Sequence, residues 1–301
     1  MSFLKKKLML ARLGGAQPSS GGIAYVASDV ADSITSIDIS NPASLSELDS
    51  YTSANLDGAR EVALDLTNNI AYVASRIADS ITSIDISNPA SLSELDSYTS
   101  ANLNSAYGIA LDLANNVAYV TSFVADSLTS IDISNPSSLS ELDSYKSANI
   151  DSARIVALDL ANNVAYVTSF VAGSITSIDI SNPSSLSVLD SYTSANLDGA
   201  WAVALDLANN IAYVASQTAG SITSIDISNP SSLSELDSYT SANLNGAIDI
   251  ALDLANNIAY VASVNADSIT SIDISNPSSL SELDSYTSAN LNGATGIALS
   301  I

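Results

Sequence analysis

Across residues 23–301, short runs rich in Ile, Val, Tyr and Thr alternate with clusters of Ser, Asn, Asp and Pro, and the pattern returns every 47 residues. An Asn-Pro pair marks the period, at Asn41, Asn88, Asn135, Asn182, Asn229 and Asn276. One unit, IAYVASRIADSITSIDISNPASLSELDSYTSANLNSAYGIALDLANN, runs from Ile70 to Asn116. Self-similarity at such a period is the signature of a repeat architecture. β-Branched and aromatic runs bounded by turn formers predict strands, and no 3.6-residue apolar stripe argues for helices. The second copy divides into four strands: 61–66, 70–75, 80–87 and about 92–100. Asn68-Asn69 tolerates the positive φ of a two-residue hairpin, and Pro89, lacking an N–H, ends the third strand. Ile81, Ser83 and Asp85 share one face, and Thr82, Ile84 and Ile86 the other. Such blurred alternation is expected of a sheet covered on both sides.

Four-stranded antiparallel sheets repeated radially make a propeller, so the expected fold is all-β, a six-bladed β-propeller. The last copy stops at Ile301, which aligns with Leu66, and the first begins at Ile23, which aligns with Ile70. The C-terminal strand, 296–301, is therefore expected to complete the first blade and close the circle. Residues 1–22 form a separate basic arm, and 23–301 the propeller. The segments IAYVAS and SITSIDISNPASLSELDSYTS resemble the LVIVD repeat, over nearly all of 23–301. That resemblance implies a cell-surface or extracellular propeller without family-wide catalytic residues.

Charge narrows the functions. The chain carries 32 acidic and 8 basic groups, net −24. Such a field repels nucleic acid and anionic lipid. With no Cys and no His, thiolate sites, disulfides and the usual neutral-pH base are missing. No run approaches the roughly 20 apolar residues that cross a bilayer. Half the basic groups lie in the arm, where Phe3, Leu4, Lys5, Lys6, Lys7, Leu8, Leu10 and Arg12 read as an assembly segment for the acidic body or a neighbouring subunit. A cleaved leader is the alternative, although Leu8-Met9-Leu10-Ala11 is short for one.

Comparison of the copies with one another singles out four columns that change wholesale. The first is Asp29, Arg76, Phe123, Phe170, Gln217 and Val264. The second, one residue later, includes Ile77 and Asn265. The third is Arg60, Tyr107, Arg154, Trp201, Ile248 and Thr295, and the fourth includes Glu61 and Asp249. In an up-and-down blade both loop sets emerge at one end, so this diversity is expected on one face. These positions hold the sole Trp, both Phe residues of the body and three of its four basic groups. Aromatic residues and Arg dominate binding hot spots, whereas drift would enrich Ser, Asn and Lys at both ends.

The invariant acids read differently. Asp65, Asp112, Asp159, Asp206 and Asp253 are placed to cap their Asn-Asn hairpins, as are Asp38 and its equivalents at Ser-Asn-Pro. A calcium site is conceivable near Asp57, Asp151 and Asp198, yet no twelve-residue calcium loop exists. No cofactor is expected otherwise. Glu61 and Asp249, the acids peculiar to the variable columns, lie far apart in the repeat order, and the expectation is that the chain is not an enzyme. The expected role is an extracellular or surface recognition module, adhesin-like, gripping a glycan or protein. The alternative is a structural subunit of a surface layer, virion or filament, assembled through the arm.

Overall fold

The computed structural model describes residues 8–10, 22–293 and 295–299. They form six four-stranded antiparallel sheets. The first is β1 (Leu8–Leu10), β2 (Ile23–Ser28), β3 (Ser33–Asp38) and β4 (Ser46–Thr52), paired in that order. The second is β5 (Ala59–Asp65), β6 (Ile70–Ser75), β7 (Ser80–Asp85) and β8 (Ser93–Thr99). The same meander recurs over 106–146, 153–193, 200–240 and 247–287. A short 3-10 turn, Ala54–Leu56 in the first copy, links each sheet to the next and buries its Leu or Ile in most copies. Two compact units hold three sheets each, one through Ser144 and the other from Tyr145 to Leu299.

The hairpins form as their residues predict. Asp65 Oδ1 accepts from the backbone N–H groups of Thr67 and Asn68, both at 3.0 Å, and Oδ2 from the Asn68 side-chain amide at 2.7 Å. Asn69 takes φ +57°, the left-handed region that Asn tolerates. Asp112, Asp159, Asp206 and Asp253 hold Asn115, Asn162, Asn209 and Asn256 in the same way. At the third strand's end, Asp85 Oδ1 accepts from Ser87 N at 2.8 Å. This bond, with the Ser87 hydroxyl, holds the Asp85 carboxyl below the usual carboxylate range.

Successive sheets join through seams that the repeat reproduces. Between the first and second, Leu92 N donates to Asp49 Oδ2 at 2.7 Å, and Glu94 accepts from Ser53 Oγ at 2.9 Å and Asn55 Nδ2 at 2.6 Å. Asp96 and Glu141 do the same between the second and third, Asp190 and Glu235 between the fourth and fifth, and Asp237 and Glu282 between the fifth and sixth. Around these bonds the apolar residues of adjoining sheets interdigitate. Leu95 and Tyr98 pack against a cluster that includes Ile131, Ile133 and Leu139; Leu236 and Tyr239 pack against Ile272, Ile274 and Leu280. A sheet that lies between two such seams is thereby dry on both faces, which explains the blurred alternation.

The first sheet differs from expectation. Its innermost strand is β1, from the N-terminal arm, with Leu8, Met9 and Leu10 opposite Ser28, Ala27 and Val26. That is the place β5 takes on β6, where Ala59, Glu61 and Val62 face Ser75, Ala74 and Val73. Residues 295–299 carry no strand, and 300–301 lie outside the described residues. Ile297 N instead donates to Asp249 Oδ2 at 2.8 Å, as Ile109 N does to Glu61 Oε2 at 3.0 Å. Repeat alignment alone could not foresee this, since the arm contains no copy of the repeat and a backbone ladder accepts any sequence without Pro at that edge. Completion of the first blade by the C-terminal strand is corrected accordingly.

Two predictions follow from this framework. Truncation through Leu10 should destabilise the first sheet by roughly 1–4 kcal/mol, the net worth of about three ladder bonds, whereas truncation from Thr295 should leave all six ladders intact. Thermal melts of the two truncations compare them directly, and a greater loss from the C-terminal cut would sink the assignment. Burial, helped by Asp65 and Asp206, pushes the phenols of Tyr72 and Tyr213 up to about 12, and Tyr119 and Tyr166 move upward for the same reason. The folded chain then keeps protons that the unfolded chain releases from about pH 10. Stability is complete below that pH and falls as pH rises toward 12. Phenolate absorbance of these residues should therefore appear together with loss of the β-sheet circular dichroism, not before it.

Candidate functional site

The third variable column sits on a β-bulge. Ala59 faces Ser75 and Glu61 faces Ala74, so Arg60 is the extra residue. Trp201 and Ile248 are the extra residues of their own sheets, and the register breaks similarly around Tyr107 and Arg154. A bulge turns its side chain away from the ladder. The turn before each bulge returns to the second-to-third-strand loop. Arg76 N donates to Gly58 O at 2.9 Å, and Ile77 N to Asp57 O at 3.1 Å. Gly199 shows how tight this approach is: its φ is +70°, and a Cβ there would lie 2.7 Å from Thr218 N. The two pairs of variable columns are therefore adjacent in the second to sixth sheets.

In the first unit the columns build a polar cluster. Asp29 Oδ2 lies 3.5 Å from Arg60 Nη1, and Asp29 Oδ1 lies 3.3 Å from Arg76 Nη2. The Arg60 guanidinium stands 4.4 Å from the centre of the Tyr107 ring and donates through Nη2 to the Tyr107 hydroxyl. Burial and the neighbouring carboxylates of Asp32 and Asp29 push the Asp57 carboxyl upward. In the second unit the cluster is aromatic. The Arg154 guanidinium lies 3.9 Å from the Trp201 ring centre and 4.9 Å from that of Phe170. The two rings meet edge to face at 5.8 Å.

Accessibility divides these residues. Tyr107, Arg154 and Ile248 are buried, at 1%, 8% and 5%. Asp29, Arg60, Glu61, Arg76, Phe123, Phe170, Trp201, Gln217, Asp249 and Thr295 are half-buried; Ile77 and Asn265 are exposed. Tyr107 and Arg154 thus act as supports on which the more open rings and guanidinium groups rest. Glu61 and Asp249 reach the backbone of the following segment, as described above. Of the arm, Leu8 and Leu10 pair through their backbone with β2, while Phe3, Leu4, Lys5, Lys6, Lys7 and Arg12 lie outside the described residues.

Two supports escaped the sequence reading. Thr121 and Thr168 occupy a position that is Ala27, Ala74, Ala215 or Ala262 elsewhere. Thr121 Oγ1 accepts from Gly108 N at 2.9 Å. Thr168 Oγ1 accepts from Ile155 N at 3.2 Å and donates to Trp201 O at 2.8 Å. Both fix the backbone of a bulge, and the signal was available: Ala becomes Thr in just these two copies. At the hairpin end a groove of about 380 Å³ opens between the fourth and fifth sheets, lined by Asn163, Asp179, Ser228 and Pro230. Its lining repeats in other copies, unlike that of the bulge clusters. No three His, Asp or Glu among the described residues gather as a metal-ligand set. No helix among them is long and apolar enough to cross a membrane.

Six four-stranded sheets in this sequence of seams define a six-bladed β-propeller. Solved structures agree. A Lactobacillus plantarum protein superposes with a TM-score of 0.80 at 16% identity, over 95% of this chain and 86% of its own. A functionally unknown Desulfotomaculum acetoxidans protein gives 0.74 at 14%, over 96% and 88%. The periplasmic gluconolactonase of Pseudomonas aeruginosa gives 0.71 at 13%, over 90% and 79%. Segments 19–53, 59–100, 111–147, 158–194, 200–241 and 248–288 each match the LVIVD repeat. The chain belongs to the LVIVD-repeat family. No curated protein matches it. The gluconolactonase corrects the expectation that this is not an enzyme: the fold is one that enzymes use. Lack of His and Cys removes two residue types, but leaves carboxylate and guanidinium chemistry available on the loops.

The Arg154–Trp201 stack supplies a direct test. A double-mutant cycle with Arg154→Leu and Trp201→Ala should return a coupling of about 0.5–2 kcal/mol. Additive losses would show that the stack contributes nothing.

Proposed function

We propose that the protein is a surface or extracellular recognition module that takes a glycan or protein ligand at its bulge-borne loops. One observation carries this reading: where the repeat breaks, it breaks into half-buried aromatic rings and guanidinium groups held in defined stacks. The rest of the body is nearly invariant and strongly acidic. Phe123, Phe170 and Trp201 offer broad apolar area with little conformational freedom to lose on binding, and Arg60 and Arg76 offer planar donors. A carbohydrate is favoured by the aromatic platforms and by the fold shared with a gluconolactonase. That same likeness supports a second reading, hydrolysis of a sugar lactone at these loops.

A glycan array with the purified protein, beside δ-gluconolactone and 6-phosphogluconolactone turnover followed by pH-stat, separates the two readings. Phe123→Ala and Trp201→Ala should each weaken glycan binding by about 30-fold, or about 2 kcal/mol. Phe123→Ala should leave the melting temperature near that of the wild type. Lactone turnover without array binding would replace recognition by hydrolysis; neither activity, or binding indifferent to both substitutions, would overturn the assignment of the loops.

A further inference from the structure

The groove at the hairpin end of the fourth and fifth sheets has the makings of a second site. Its floor is apolar. Val164 belongs to the core cluster that the two sheets share, Leu189 packs against that cluster, and Pro230 lines the groove beside them. The position of Val164 is Ile in the first, second, fifth and sixth copies, so the side chain at the floor is one methylene smaller here. The volume of about 380 Å³ lies at the small end of the range that holds organic ligands.

The walls are held by bonds within the second unit. Ser177 Oγ donates to Pro230 O at 2.6 Å and Leu233 N to Asp190 Oδ2 at 2.7 Å, which fixes the turn of the fifth sheet against the fourth. Ile180 N donates to Asn163 O at 2.9 Å, and Asn163 takes φ +55°. That bond uses the backbone of Asn163 and leaves its side-chain amide for other partners. Asp179 Oδ1 accepts from Ser181 N at 2.8 Å, and no described residue donates to Oδ2. Of the lining residues only Asp179 is charged, and the hydroxyls of Ser228 and Ser231 belong to the facing wall.

We propose that this groove binds an amine-bearing sugar, a hexosamine unit. A pyranose ring has a face of C–H groups, which Leu189 and Pro230 suit. Its rim of hydroxyls both donates and accepts, as do the Asn163 amide and the Ser231 hydroxyl. The ammonium would donate to Asp179 Oδ2 in a charge-assisted bond. No Lys or Arg lines the groove, so a phosphorylated or carboxylated sugar meets only repulsion there. One carboxylate among amides and hydroxyls is a poor cage for a metal ion. The groove lies at the other end of the sheets from the bulge-borne loops, and its assignment does not rest on theirs.

Saturation-transfer NMR on the full chain, with D-glucosamine, D-glucose and D-glucose 6-phosphate in turn, tests this. Glucosamine should bind with a Kd of about 1–10 mM, the affinity expected of a small ligand in an open groove. Glucose should bind at least about tenfold more weakly, for want of the charge-assisted bond, and the phosphate should give no transfer. Asp179→Asn, whose amide oxygen can still accept from Ser181 N, should reduce glucosamine to the level of glucose. Ser231→Trp should abolish transfer, and because Ser231 is exposed the melt should be unchanged. Phe123→Ala should leave binding as it is, which separates this groove from the loops. The proposal would be overturned by no transfer from glucosamine at about 50 mM, or by glucose binding equally well. Transfer that survives Ser231→Trp, or is lost with Phe123→Ala, would overturn it too.

Discussion

The structure depends on carboxylates that reach from one sheet into the next. A four-stranded sheet with two apolar faces cannot persist in water by itself, and the seams provide the cover. Leu92 N, at the start of an outer strand, would be a buried donor without Asp49; the cost of such an orphan is about 1–3 kcal/mol. Asp49 and Glu94 satisfy backbone and side-chain donors with charge-assisted bonds, about twice as strong as neutral ones. Register across the seam follows, because a one-residue slip would strand these donors and turn every Leu and Tyr away from the core.

The acidity of the chain is then largely architectural. The second copy carries five acids, and each has a place: Asp79 accepts from Ser105 N, Asp85 caps the Ser-Asn-Pro turn, Glu94 and Asp96 clamp two seams, and Asp112 holds a hairpin. The excess of negative charge repeats because the scaffold repeats. It still repels polyanions. The Asp79 position also takes a left-handed backbone, φ +54°, which explains why Gly173 and Gly220 replace Asp there. A metal-binding role is not needed to account for it.

Bulges are where this scaffold tolerates novelty. Arg60, Arg154 and Trp201 leave the ladder, so their size and charge do not disturb cross-strand pairing. Neighbouring loop residues then pack around them, with Asp29 between two Arg side chains and Phe170 edge-on to Trp201. Such clusters are built from positions about 16–47 residues apart in the chain.

The sequence by itself determined the strands, the hairpin and turn caps, and the six-sheet fold, because each rests on local chemistry repeated at a fixed period. Asp65 beside Asn68, and Pro89 after a β-branched run, allow few other conformations. It also marked the variable columns, since copies of one unit can be compared within a single chain. Only tertiary structure decided that β1 borders β2, that Tyr107 and Arg154 lie beneath the more open rings, and that Glu94 serves a neighbouring sheet. Those outcomes turn on which surfaces meet.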